Sequence, residues 1–154
     1  MTEIERILDQ LKRAYEGNGC HGPSVSEALA GVNAAQAHAR PLANAHSIRE
    51  LVHHIAVWEN VGQRRLQGDR AQIEISSLED WPPADDRSEA AWVQAKAALA
   101  RGREALREAI ACVDESRLDE PILEGMSTVY VTLHGVIQHD LYHAGQIAML
   151  KKAL

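Results

Sequence analysis

Apolar residues recur at three- and four-residue intervals in four stretches of the chain, the spacing that lines one face of an α-helix. Ile4, Ile7, Leu8 and Leu11 mark the first, a helix from about Glu3 to Tyr15 stopped by Gly17-Asn18-Gly19. The second, Ser47 to Gln67, carries Leu51, Ile55, Trp58 and Val61 on its apolar face, with the two tryptophans of the helices, Trp58 and Trp92, assigned to core packing. It opens on a capping box of Ser47 and Glu50 and closes at Gly68-Asp69. The third starts near Ser88 and runs through Trp92, Ala95, Leu99, Leu106 and Ile110 to about Cys112. Its Arg101, Arg103, Glu104, Arg107 and Glu108 read as a solvated charged face. The fourth runs from a cap at Thr132 to Lys152, with Leu133, Val136, Ile137, Leu141, Ala144, Ile147 and Ala148 in one broad arc.

Between these stretches, Ser24 to Leu29 can make a short turn of helix, with Ser24 and Glu27 as a second capping box. Residues 32–46 read as a connection with room for one more turn. Residues 69–87 hold Trp81-Pro82-Pro83 and four acids, Glu79, Asp80, Asp85 and Asp86, and read as a long loop. A second loop, Asp114 to Val131, includes an extended piece around Thr128 to Val131. The pattern predicts an all-α fold, a four-helix bundle with a long crossover loop between helices 2 and 3, in a single domain over residues 1–154. A crossover of that length can join parallel neighbours.

Composition supports this and narrows the function. Apolar residues make up 45% and charged residues 25% of the 154, ordinary for a globular chain and against a disordered one. Phe is absent and β-branched residues are scattered, which favours helix over sheet. The net charge of −6, with no Lys/Arg stripe, argues against nucleic-acid binding. No apolar run reaches the ~18–20 residues of a membrane span, and the first residues lack a basic segment followed by an apolar stretch, so neither a membrane segment nor a secretory signal is expected. Cys20 and Cys112 stand at no metal-ligand spacing, and a cytoplasmic protein with two free thiols is expected.

The chemistry lies in the histidines. His139 and His143 are four residues apart, so their rings project side by side from one helical face, at the edge of the apolar arc. His54 falls within the apolar arc of the second helix, whereas His53 points about 100° away, beside Arg49, Asn60 and Arg64. If the two helices pack at matching height, three imidazoles converge on one ion and leave coordination positions open, as in a catalytic metal site. The alternative is three core-edge histidines hydrogen-bonded to backbone or carboxylate, and His53 could replace His54 if the face is misjudged by one residue. His21, His38, His46 and His134 read as solvated or structural, and Tyr142 points off the pair. Glu50-x-x-His53 and Asp140-x-x-His143 faintly echo the motifs of di-iron carboxylate bundles, but the third helix offers only Glu104 and Glu108, on its charged face. Asp140 and Gln146 are candidates to orient a ligand.

The segments Glu50-Leu51-Val52-His53-His54-Ile55-Ala56-Val57-Trp58 and His134-Gly135-Val136-Ile137-Gln138-His139-Asp140-Leu141-Tyr142-His143-Ala144-Gly145-Gln146-Ile147 resemble the DinB-like (YfiT-type) superfamily. The similarity extends to Cys20-His21-Gly22-Pro23-Ser24, to Asp80-Trp81-Pro82 and to the closing Leu150-Lys151-Lys152-Ala153-Leu154. The resemblance implies a four-helix bundle, commonly homodimeric, holding one divalent metal ion through His54, His139 and His143. Zinc or nickel would be expected, with iron or manganese as alternatives. It also implies a small-molecule substrate and, by likeness to transferases that use bacillithiol or mycothiol and to a thiol-dependent isomerase, a low-molecular-weight thiol as partner. Two other readings stay open: metal-dependent hydrolysis, and a metal- or ligand-binding protein without turnover.

Overall fold

The computed structural model describes residues 1–70 and 72–154. Its four long helices are α1 (Glu3–Glu16), α4 (Ile48–Leu66), α5 (Glu89–Ala111) and α6 (Val129–Lys152), with two short ones, α2 (Val25–Leu29) and α3 (Ala34–His38), between α1 and α4. Reciprocal capping boxes open α1 (Thr2 and Glu5), α2 (Ser24 and Glu27), α3 (Asn33 and Gln36) and α4 (Ser47 and Glu50). Each satisfies amide donors that a helix start otherwise leaves free. α1 ends at Gly17, whose φ of 129° suits a residue without a side chain.

The fourth helix begins earlier than its sequence suggests. Thr128, not Thr132, is the cap, and residues 129–131, expected to be extended, form the first turn. Val129, Tyr130 and Val131 have strand-like propensities, but burial of Val129 and the amides tied to Glu120 and Leu118 carbonyls hold the turn. Of the preceding loop, Glu115–Arg117 is a 3₁₀ turn and Pro121 bridges Thr128.

The directions of the long helices follow from which residues meet. Arg49 lies against Trp92, Glu59 against Arg103, and Gly62 against Leu106, so α4 and α5 run parallel. The connection through residues 67–88 is therefore the crossover the sequence anticipated. α6 runs against α4, with His139 beside His54 and Val136 beside Gly62. A methyl on Gly62 would stand 3.3 Å from Val136 Cγ2, so glycine there permits the close approach of the two helices. α1 runs against α5, with Tyr15 over Arg103 and the Glu3 amide donating to Glu115.

The apolar interior is divided in two. One cluster joins α2 and α3 to Ile48, Leu51, Val52 and Ile55 of α4, Trp92 and Leu99 of α5, and the C-terminal part of α6. The other joins α1 to Leu106 and Ile110 of α5 and to Leu133, Val136 and Ile137 of α6. At the same level in α4, α5 and α6, between these clusters, lie Glu59, Arg103 and Asp140. Arg103 donates to both carboxylates and all three side chains are buried. Arg103 is therefore not on the solvated face, to which Glu104 and Arg107 do belong. It stands four residues after Leu99 and three before Leu106, squarely on the buried stripe. Asp140 is likewise committed to this ion bridge, not to a histidine.

One guanidinium cannot neutralise two carboxylates. Burial, set against Arg103 and reinforced by Asp140, pushes the Glu59 carboxyl up to about 8. Asp140 moves up for the same first cause. Glu59 Oε2 and Asp140 Oδ1 have no donor, which leaves room for a retained proton. Because the folded Glu59 binds its proton more tightly than the unfolded one, its contribution to stability falls as pH rises from about 4.5 to about 8. Urea denaturation across that range should show wild type losing stability relative to Glu59→Gln as pH rises. A constant difference between the two proteins would refute a retained proton at Glu59.

Candidate metal centre

α4 brings His54, and α6 His139 and His143, to a single point. His139 Nε2 lies 3.0 Å from His54 Nε2 and 3.0 Å from His143 Nε2, and the three donor atoms all fall within 4.8 Å of one another. Among the described residues this is the one group of three or more His, Cys, Asp or Glu side chains placed to hold a metal ion. His54 and His143 are buried and His139 partly so. His53, one residue away, turns toward α5 and lines a different cavity.

The remaining ring nitrogens decide what the cluster can do. His54 Nδ1 is 2.9 Å from the Asp80 carbonyl oxygen and 2.9 Å from Asp80 Oδ1, so it carries the proton and donates it there. His143 Nδ1 is 2.7 Å from Gln146 Oε1 and donates to it. Both rings thus present a bare lone pair at Nε2 toward the third imidazole. His139 Nε2 can carry at most one proton between them, and its own Nδ1 is buried without a partner. A cation fits this donor set better than any arrangement of protons among the three. Pairs of nitrogens about 3 Å apart also suit ligands that sit roughly 2.0–2.1 Å from a common ion.

Protonation is disfavoured throughout. Burial first, then the neighbouring His143 and His54, brings His139 down to about 3. Burial is also the leading cause that lowers His54 and His143, against the opposing pull of Asp80 on the first and Gln146 on the second. All three are therefore neutral imidazoles at physiological pH, the form that binds metals.

The crossover loop supplies a support that sequence reasoning missed. Asp80 is 2% exposed. Burial works against its charge, yet the Ser76 amide at 2.8 Å, the Trp58 indole N–H at 2.8 Å and the adjacent histidines hold its carboxyl below the usual range. Trp58 is thus a half-buried donor, not a purely apolar core residue. Next to Asp80, the Trp81 ring stacks on His54 with centroids 3.9 Å apart and on His46 at 3.5 Å. The Asp-Trp-Pro sequence was visible, but nothing local says that it folds onto His54, twenty-six residues back.

Two openings flank the three nitrogens. A cavity of about 670 Å³ reaches His143 and Gln146, with Leu42, Trp81, Met149 and Leu150 among its largely apolar walls and exposed Tyr142 at its edge. A smaller one, about 170 Å³, reaches His139 beside Trp58 and Val136. The other histidines serve elsewhere. His38 faces the Ala34 and Ala84 carbonyls and His134 packs on Tyr130. His21 and exposed Cys20 line a groove with Arg13 and Leu141. The di-iron echo dissolves, because Glu50 is spent on the Ser47 cap and on Arg40.

The sequence pattern of the DinB superfamily matches residues 23–147. A crystal structure described as the conserved protein of locus from Enterococcus faecalis superposes with a TM-score of 0.73 at 18% identity, over 99% of this chain and 97% of the other. At that identity the likeness establishes the fold. No protein of curated function matches. Among the described residues no helix is long and apolar enough to cross a membrane.

The lowered histidines also make the metal-free fold sensitive to acid. Unfolded histidines take up protons near 6.5 while folded His139 resists until about 3, so stability rises with pH across that window and is lost on acidification. Metal-free His139→Asn should lose less stability than wild type between pH 7 and pH 4.5 in urea titrations. Equal losses would mean that His139 is freely protonated in the fold.

Proposed function

Because the chain belongs to the DinB superfamily, we propose that His54, His139 and His143 hold one divalent metal ion, zinc or nickel before iron or manganese. We propose further that the site transfers a low-molecular-weight thiol to an electrophilic small molecule. The observation that carries the reading is the convergence of three neutral Nε2 atoms, two of them on rings whose other nitrogen is already committed to donating. A bound divalent ion would supply Lewis acidity, enough to bring a thiol to its thiolate near neutral pH.

The protein's own groups do the rest. Asp80 and Gln146 fix the ring orientations and tautomers of His54 and His143, a role whose loss typically weakens metal affinity about 10–100-fold. Trp81 closes one side of the cluster against water. The apolar cavity beside His143 offers room for the carbon body of an electrophile, held against Leu42, Met149 and Leu150. Among the described residues no carboxylate joins the three nitrogens. Three neutral ligands would leave the ion's full double charge to a bound thiolate, which supports transfer; metal-assisted hydrolysis at the same open positions is the second reading. A homodimer working in the cytoplasm, where exposed Cys20 and Cys112 stay reduced, belongs to the same proposal.

Elemental analysis of untagged protein should find about one metal ion per chain, lost in His54→Ala and His143→Ala but kept in His53→Ala. Metal-loaded wild type should then consume a thiol with an electrophilic co-substrate, and not an ester in the absence of thiol. Absence of metal with no uptake on titration would remove the site. Metal binding with ester turnover alone would replace transferase by hydrolase. A loaded protein inert toward both would be a binding module.

A further inference from the structure

A further cavity, of about 880 Å³, lies between α4 and α5 under the crossover loop and does not include the three converging histidines. Val52, Ala56 and Val57 of α4, Ala95 and Ala98 of α5, and Ile73 of the loop give it an apolar wall. In that wall stands Arg49, 6% exposed, with Nε and Nη1 both buried and without a hydrogen-bond partner. Burial disfavours its charge and only Asp86 offsets this. Asp86 accepts from the Ser88 amide at 2.9 Å through Oδ1 and attracts Arg49 only across a gap longer than an ion pair. The Trp92 ring lies 6.0 Å from the guanidinium carbon and accepts no hydrogen bond from it. A buried guanidinium is ordinarily paired, so Arg49 has the character of half of an ion pair.

We propose that this cavity is a binding site for an amphipathic monocarboxylate, its carboxylate on Arg49 and its hydrocarbon body along the alanine- and valine-lined wall between α4 and α5. The guanidinium presents its N–H groups in a plane that matches a carboxylate. A single negative charge is specified by the surroundings: Glu79 and Asp86 also line the cavity, and Arg64, its other arginine, is already paired with Asp69 at 2.7 Å. Those acids repel any anion, a dianion such as phosphate more strongly than a monocarboxylate. His53 stands one turn along the same face of α4 and can donate to the second carboxylate oxygen. This ligand is independent of the histidine cluster, which opens on other cavities.

Decanoate is a suitable probe, titrated calorimetrically into the full-length protein as purified. One decanoate per chain is expected, with affinity reduced about tenfold or more in Arg49→Met, the loss of a charge-assisted hydrogen bond. Ala98→Trp, at an exposed position on the cavity wall, should block binding while leaving the fold intact by circular dichroism. His139→Ala should bind decanoate as wild type does, and decanol and inorganic phosphate should bind far more weakly. Arg49→Met should also melt no lower than wild type without ligand, since it removes a buried cation whose Nε and Nη1 have no hydrogen-bond partner. The proposal fails if wild type does not bind decanoate, or if Arg49→Met binds it equally. It fails also if phosphate matches decanoate, or if His139→Ala abolishes binding and so places the carboxylate at the histidines.

Discussion

The bridge from Arg103 to Glu59 and Asp140 is the constraint on which the arrangement depends. It joins α4, α5 and α6 at one level of the interior, with Tyr15 of α1 packed over the guanidinium 4.9 Å away. An ion bridge of this kind adds little net stability compared with well-packed apolar residues, but breaking it strands a buried charge at a cost of about 3–5 kcal/mol. Sliding any of the three helices by one residue would do just that. The register so fixed is the one that sets His54 opposite His139 and His143. Asp140 is adjacent to His139 in sequence, and Glu59 lies just over one turn beyond His54.

The site itself is a balance between burial and hydrogen bonding. Burial keeps the three imidazoles neutral, while Asp80 and Gln146 take up the Nδ1 protons of two of them. Lone pairs are thereby aimed inward at a point where protons are poorly tolerated. The crossover loop contributes both the carboxylate of Asp80 and the stacked ring of Trp81, so the segment that joins two parallel helices is also the wall of the site. That wall separates an apolar cavity beside His143 from the cavity that holds Arg49, since Trp81 faces the first and Glu79 and Pro82 the second.

Most of the helical framework was legible in the sequence because caps and breakers are local. Thr128 was missed as a cap because its neighbours Val129 to Val131 favour strands and only tertiary contacts overrule them. The histidine trio was legible from the i, i+4 spacing and the arc of α4. Gln146, one turn beyond His143, was a candidate on the same ground as Asp140, and only packing separates them: Gln146 meets His143 while Asp140 goes to Arg103. The ion bridge left a signal that was not read: Glu59, Arg103 and Asp140 each sit on the apolar stripe of an amphipathic helix, where a charge must find a partner. Asp80 and Trp81 left none, since only the path of a long loop brings them to His54. The unpaired guanidinium of Arg49 is likewise a property of packing, invisible in a list of residues.

The most direct measurement is X-ray absorption spectroscopy of the full-length protein loaded with zinc or nickel. The account predicts three imidazole nitrogens at about 2.0–2.1 Å with lighter, exchangeable ligands completing the shell, and loss of the imidazole signal in His139→Ala. A shell containing sulfur from Cys20 or Cys112, or fewer than three imidazoles in the wild type, would contradict it.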